Sequence, residues 1–220
     1  MTRSKEISGV PPATLATRGE RLAFWINTYN VLVADSIAAL GLRRSVWEVP
    51  DFFQRIACRV GGLAFTADEI EHGVLRGNRP SPLSMARPFA PDDARLVHAI
   101  VPTDPRIHFA LNCGARSCPA VRTYDADQLD AQLNAATRAF ITNEVTVDDD
   151  ALVISEIFKW FRADFDECAG GLAGFLVRHL DDGTARRHIL ERGLDGLTYR
   201  PWDWRLAVPV PATEPWTGRA

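Results

Sequence analysis

The sequence contains no uninterrupted apolar run of the roughly 18 residues that a membrane-spanning helix requires, so no such helix is expected. Its opening, "MTRSKEISGVPPATL", lacks the apolar centre of a secretion signal, and a cytoplasmic location is the expectation. An excess of positive charge is also missing. The formal net charge of −3 gives nucleic-acid binding no global electrostatic support. Cysteine is sparse, with Cys58, Cys113, Cys118 and Cys168 the four present. In a reducing compartment these are thiols unless function dictates otherwise. There is no glycine-rich phosphate loop, no G-x-S-x-G and no H-E-x-x-H, so the commonest nucleotide, serine-hydrolase and zinc-protease signatures are excluded. Internal repeats and a regular βαβ rhythm are absent too.

What is present is the composition of an ordinary globular chain. At 46% hydrophobic and 24% charged over 220 residues, it can bury a sizeable core in one domain without disulfides or metals. Residues 1–18 read as a polar N-terminal arm, 19–207 as the domain, and 208–220 as a Pro-rich C-terminal tail. Leu22, Ile26, Tyr29, Val33, Ile37 and Leu40 recur at helical spacing before Gly41. "FFQRIACRVGGLAFT" reads as a hairpin turning at Gly61-Gly62. Thr66 and Glu69 have capping-box spacing, which predicts a helix from about 67 to 76. Residues 77–95 read as a long loop. Ile107, Phe109 and Leu111 alternate with His108, Ala110 and Asn112, which predicts a strand. A helix to about 143, a hairpin in "VTVDDDALVIS", helices near 156–165, 172–181 and 185–192, and a closing strand in "LTYRPWDWRLA" complete the reading. The class is α+β: a single mixed domain with helices packed on a small, partly antiparallel sheet.

The chemistry concentrates in "IHFALNCGARSCP" at 107–119. Cysteine chemistry needs a thiolate. Cys118 precedes Pro119, and Gly114 permits a sharp bend, so the N–H groups of "NCGARSC" have the makings of an anion-binding turn. Cys118 is the candidate nucleophile and Cys113 its substitute, against the alternative that both are small buried residues. His108 is a candidate base, with a hydrogen-bonded structural histidine as the alternative. Glu71 falls on the apolar side of its helix, among Ile70, Val74 and Leu75, so it needs a partner or a raised pKa. It, or Asn112, is a candidate to orient His108. Asn27 and Asn30 interrupt the first helix and either line a polar site or tie down a loop. Arg76 and Arg106 are candidate contacts for an acidic substrate. The spacing C-x4-C is not the C-x-x-C of oxidoreductases, and with His108 it falls short of four zinc ligands, so no metal and no cofactor are expected.

The segments "AFWINTYN", "ADEIEHGVLRGN", "DPRIHFALNCGARSCPAVRTYD", "FKWFRADF" and "LTYRPWDWRLA" together resemble the domain of unknown function DUF547, over about residues 20–207. The matching positions are Asn27, Asn30, Glu71, His108, Cys113, Cys118, Trp160, Asp164 and Tyr199. The resemblance implies a fold and no assigned activity; Trp160 joins the candidate substrate contacts through it. The reading that follows is a cysteine-dependent acyl-transfer or amide-hydrolysing enzyme of papain- or transglutaminase-like logic, acting on a small-molecule or peptide substrate. The alternatives are a non-enzymatic interaction module and a thiol-redox protein using Cys113 and Cys118. Neither nucleic acid nor membrane is an expected partner, and the sequence does not disclose the oligomeric state.

Overall fold

Thr17 begins the main helix with a reciprocal cap. Its hydroxyl accepts the Glu20 N–H at 3.1 Å, and the Glu20 carboxylate accepts the Thr17 N–H at 2.7 Å. In the computed structural model, which describes residues 4–6, 15–82, 84 and 86–207, this cap starts α1, Arg18–Ala39. Leu22, Ile26, Tyr29, Val33 and Ile37 are buried along one face, as their spacing predicts, but Leu40 lies past the helix end and is 52% exposed. Much of the polar arm and the whole Pro-rich tail lie outside the described residues. Ser4–Glu6 form β1, which runs parallel to β2, Ala57–Val60. A four-residue helix α2, Phe52–Arg55, precedes β2, and β2 turns at Gly61-Gly62 into antiparallel β3, Leu63–Thr66. Both turn glycines have positive φ, 58° and 82°, which side chains with a Cβ rarely adopt.

The capping box at Thr66 and Glu69 forms, with bonds of 2.9 and 3.1 Å. The helix it starts is wound more widely than expected: Glu69–Leu75 is a π-helix, a geometry often found at functional sites. The strand expected at 107–112 is corrected by the structure. Pro105–Phe109 is a 3-10 helix, capped where the Asp104 carboxylate accepts the Arg106 N–H at 3.1 Å, with Pro105 in the first turn. The apolar alternation that mimicked a strand serves a different purpose. Ile107 enters one hydrophobic cluster and Phe109 the other, so the segment is the seam between them.

After the seam come α3, Leu129–Glu144, then the hairpin of β4, Thr146–Asp148, and β5, Ala151–Ser155. Two short helices follow, α4, Ile157–Trp160, and α5, Arg162–Asp166, and then α6, Gly171–His179, and α7, Thr184–Arg192. β6, Thr198–Arg200, closes a second mixed sheet by pairing parallel to β5. The α+β class holds, with two three-stranded mixed sheets among the described residues where one small sheet was expected. The closing strand is shorter than "LTYRPWDWRLA" suggests, although Arg205 and Leu206 bridge back to Ser45 and Ala115.

The first cluster gathers α1, the β2–β3 hairpin, the π-helix and the start of α3. The second gathers Phe109, the end of α3, β5 and α4 to α6. The helix α3 crosses the seam, placing Leu129 and Leu133 in one cluster and Phe140 and Ile141 in the other.

Candidate functional site

The loop after the seam is held by two asparagines of α1, one helical turn apart. Asn30 donates to the Ala110 carbonyl at 3.0 Å and accepts the Asn112 N–H at 2.9 Å. Asn27 does the same further along, donating to the Tyr124 carbonyl at 2.8 Å and accepting the Tyr124 N–H at 3.0 Å. Both amides therefore act as surrogate backbone and brace loops. Asn112 closes the turn from within: its Oδ1 accepts the Gly114 N–H at 2.8 Å and its Nδ2 donates to the Pro119 carbonyl at 2.6 Å. Gly114 has φ +84°, and a Cβ there would meet Ile37 Cδ1 at 2.4 Å, so only glycine lets the turn sit this close to α1.

This turn places the two thiols side by side. The Cys113 N–H donates to Cys118 Sγ at 3.1 Å, and the Cys118 thiol is hydrogen-bonded to that of Cys113; both are free. Burial, and then the Cys113 thiol, push the Cys118 pKa well up against the backbone N–H contacts that pull it down. Cys118 is thus a thiol at neutral pH, so the turn does not by itself create the low-pKa thiolate its sequence suggests. Cys58 is core, 1% exposed, with its thiol pushed up to about 11 by burial.

Glu71 projects from the π-helix onto Tyr29 of α1, and the two are hydrogen-bonded. Glu71 retains some exposed surface, but its carboxyl group is surrounded by protein. Burial pushes it up to about 7, against the pull of Arg76. The Tyr29 phenol is raised well above its ordinary value by burial, by the Glu71 charge and by the proximity of Cys113 and Cys118. Tyr29 therefore lies near both a carboxyl that titrates near neutrality and the pair of thiols.

His108 lies elsewhere. Its Nε2 is 2.9 Å from Asp164 Oδ2, its ring stacks on Phe161 with centroids 3.9 Å apart, and among the described residues no sulfur is hydrogen-bonded to it. Asp164 is the centre of a buried ion cluster. It also accepts Arg76 Nε at 2.6 Å, Arg76 Nη2 at 3.0 Å and Arg79 Nη1 at 2.9 Å. Burial opposes ionisation of Asp164, but the hydrogen bonds from His108 and Arg76 overcome it and hold its pKa below the ordinary range. Burial lowers the His108 pKa in spite of the carboxylate. With the arginines already neutralising Asp164, His108 is neutral and donates its Nε2–H. His72, lowered by burial and by Arg76, meets Arg76 Nη1 through Nδ1 at 3.0 Å.

The other arginine candidates are equally committed. Arg106 binds Asp104, Asp130 and Asn134, and the remaining Arg76 nitrogen donates to the Pro80 carbonyl at 2.8 Å. Trp160 is half-buried between Trp202 and Trp204, with centroids 5.5 and 5.9 Å away. Sequence reasoning placed Tyr29 only in the apolar stripe of α1 and named Asp164 only as a position matching the family, with a site role for neither. Asp164 carries a legible signal, standing seven, four and three residues after Ile157, Trp160 and Phe161, an acid on an apolar helical face just as Glu71 is.

Among the described residues, two depressions bear on the site. One, of about 500 Å³, is shallow and lined by Arg138, Arg178, Arg186, Asp181 and Asp182, with Arg138–Asp181 and Arg186–Asp182 paired. The other, of about 410 Å³, is more enclosed and has Cys118 in its wall with Ser117, Pro119, Arg116 and Arg122, facing Phe140 and Asn143 of α3. Cys118 thus borders a small-molecule-sized space, whereas Cys113 and the His108–Asp164 cluster line neither depression. Among the described residues, no group of three His, Cys, Asp or Glu side chains is arranged to hold a metal ion.

A family model described as "Protein of unknown function, DUF547" matches residues 13–141. The match takes in Asn27, Asn30, Glu71, His108 and both thiols, and ends before Asp164. No curated protein and no solved structure matches the chain.

Proposed function

Because the chain belongs to the DUF547 family, whose description names no activity, we propose a function from the site alone: a thiol–disulfide oxidoreductase that cycles Cys113 and Cys118. The observation that carries this reading is the contact between two free thiols beside a Tyr29–Glu71 pair whose carboxyl titrates near neutral pH. A buried thiol of raised pKa reacts only if its proton has somewhere to go. Glu71, about half ionised at neutral pH and hydrogen-bonded to Tyr29 beside the thiols, is the acceptor this reading assigns to it.

Cys118, in the cleft wall, then attacks a disulfide R–S–S–R′ as the thiolate. The first sulfur leaves as R–S⁻ and takes a proton. The Cys113 thiol loses its proton and attacks the mixed disulfide, which releases R′–SH and leaves the Cys113–Cys118 disulfide. Two protein thiols are oxidised, and one external disulfide is reduced to two thiols.

The test is peptide mapping after incubation with a graded dithiothreitol redox buffer. The expected product is a 113–118 disulfide with Cys58 and Cys168 still reduced, and Cys113→Ser is expected to accumulate a stable mixed disulfide on Cys118. Failure of that disulfide to form at any potential would overturn the reading. A second reading, cysteine-dependent acyl transfer or amide hydrolysis, is favoured by the position of Cys118 in the wall of an open cleft. It predicts a thioester on Cys118 after exposure to activated esters, and it predicts that Cys113→Ser remains active.

A further inference from the structure

The cleft beside Cys118 is one-sided in charge. Arg116 and Arg122 line it, both are exposed, and among the described residues neither guanidinium has a hydrogen-bond or ion-pair partner. This sets them apart from Arg76, Arg79, Arg95 and Arg106, each of which is bound to a carboxylate. The acids nearby are already occupied. Glu144, the acid in the lining, pairs with Arg200 at 3.0 Å. Asp203, whose carboxylate feels Arg116, is chelated by Arg205 at 2.8 and 2.6 Å. Asn143 adds an amide from the facing helix, and Phe140 supplies an apolar surface. Two unspent guanidiniums suit carboxylates, which they engage through paired N–H donors.

We propose that this cleft binds a small, carboxylate-bearing disulfide or thiol, held by Arg116 and Arg122 so that its sulfur meets Cys118. The proposal rests on the thiol–disulfide reading above and names the substrate class of that site. The volume, about 410 Å³, admits a ligand of the size of a short peptide and excludes a folded protein chain from the pocket itself. A small disulfide with carboxylates is therefore the better fit, and one with ammonium groups is repelled.

The experiment compares three small disulfides on the full chain: the dianionic 5,5′-dithiobis(2-nitrobenzoate), the neutral 4,4′-dithiodipyridine and the dicationic cystamine. Each rate at Cys118 is normalised to the rate of the same probe with a free thiol peptide. The dianion is expected to lead, with an advantage that shrinks as salt rises. Arg116→Gln and Arg122→Gln are each expected to cut that advantage by about threefold to fivefold, as loss of an exposed ion pair does. The advantage is read as the ratio of the dianion rate to the neutral-probe rate in the same variant, which cancels any change in the reactivity of the thiol itself. Both arginines are exposed, so the variants keep the fold.

A second measurement uses no exchange chemistry: calorimetric titration with S-methylglutathione, a dicarboxylate without a free thiol. Saturable binding in the wild type that is lost in the double variant is expected. Equal normalised rates for all three probes, together with no arginine-dependent binding, would overturn the anionic cleft and leave the thiol reading standing. Arginine-dependent binding without exchange at Cys118 would support the cleft and overturn the thiol reading instead.

Discussion

Asp164→Asn is the sharpest perturbation the structure offers. The Asp164 side chain is fully buried and binds Arg76, itself 6% exposed in its side chain, together with Arg79 and His108. Asparagine keeps the shape but removes the charge. Arg79 retains Glu167 as a partner at 2.6 Å, but Arg76 is left as a buried guanidinium that cannot shed its proton. Removing one partner of a buried pair costs about 3–5 kcal/mol. In a domain of this size each kcal/mol lowers the melting temperature by about 2–4 °C, so a drop of about 6–20 °C is expected. Asp182→Asn is the control. Its carboxylate is 96% exposed and pairs with Arg186, and its loss should cost at most about 1 kcal/mol. Adding Arg76→Met to Asp164→Asn should recover part of the lost stability, because the orphaned charge goes with it.

The pH dependence of that penalty follows from the depressed folded pKa of Asp164. The stability it contributes is present above the unfolded carboxylate value near 3.9 and is lost only as pH falls through the lower folded value. The part of the penalty that comes from ionisation of Asp164 itself should therefore be flat from pH 5 to 8. The assay is thermal and denaturant unfolding followed by tryptophan fluorescence. A variant melting within about 2 °C of the wild type, or a double variant no better than the single, would refute the reading of Asp164 as the counter-charge on which buried Arg76 depends.

Other expectations concern the site and its supports. Glu71 has a raised folded pKa, so the folded state holds its proton more tightly, and stability is lost as pH rises from the ordinary carboxyl range to about 7. Glu71→Gln should therefore unfold like the wild type at pH 4 and be more stable by about 1–3 kcal/mol at pH 8, while thiol–disulfide exchange slows; lower stability at pH 8 would show that the carboxylate is held by a favourable partner. Asn30→Ala removes both clamps on the loop leading to Cys113, and should cost about 2–3 kcal/mol in urea unfolding; a change below 0.5 kcal/mol would mean that the loop holds itself. Gly114→Ala should destabilise by at least about 1 kcal/mol, since both the positive φ and the 2.4 Å approach to Ile37 Cδ1 oppose a Cβ. A neutral result in the same unfolding assay would show that the turn relaxes. In alkylation at pH 7 followed by peptide mapping, Cys58 should be the slowest of the four cysteines, because it is 1% exposed.

Features that depend on neighbours along the chain could be read directly from the order of residues. The apolar stripe from Leu22 to Ile37, the Thr66–Glu69 capping box, the Gly61-Gly62 hairpin and the Asp149-Asp150 turn, where φ is positive at both residues, all lie where local rules put them. The family resemblance and the α+β class were legible for the same reason, and Glu71 stood out as an acid among apolar neighbours. Tertiary structure alone decided the partners. His108 and Cys118 are ten residues apart in sequence, yet His108 turns to Asp164, which comes 56 residues later. The strand pattern at 107–111 was overridden because a 3-10 turn sends Ile107 and Phe109 into two different cores, and alternation in sequence cannot distinguish two cores from the two faces of one sheet. Whether an arginine is spent or free is not local either. Arg76 and Arg116 are the same residue type near candidate chemistry, and only the packing of α5 against the π-helix gives one of them a buried carboxylate and leaves the other facing the cleft.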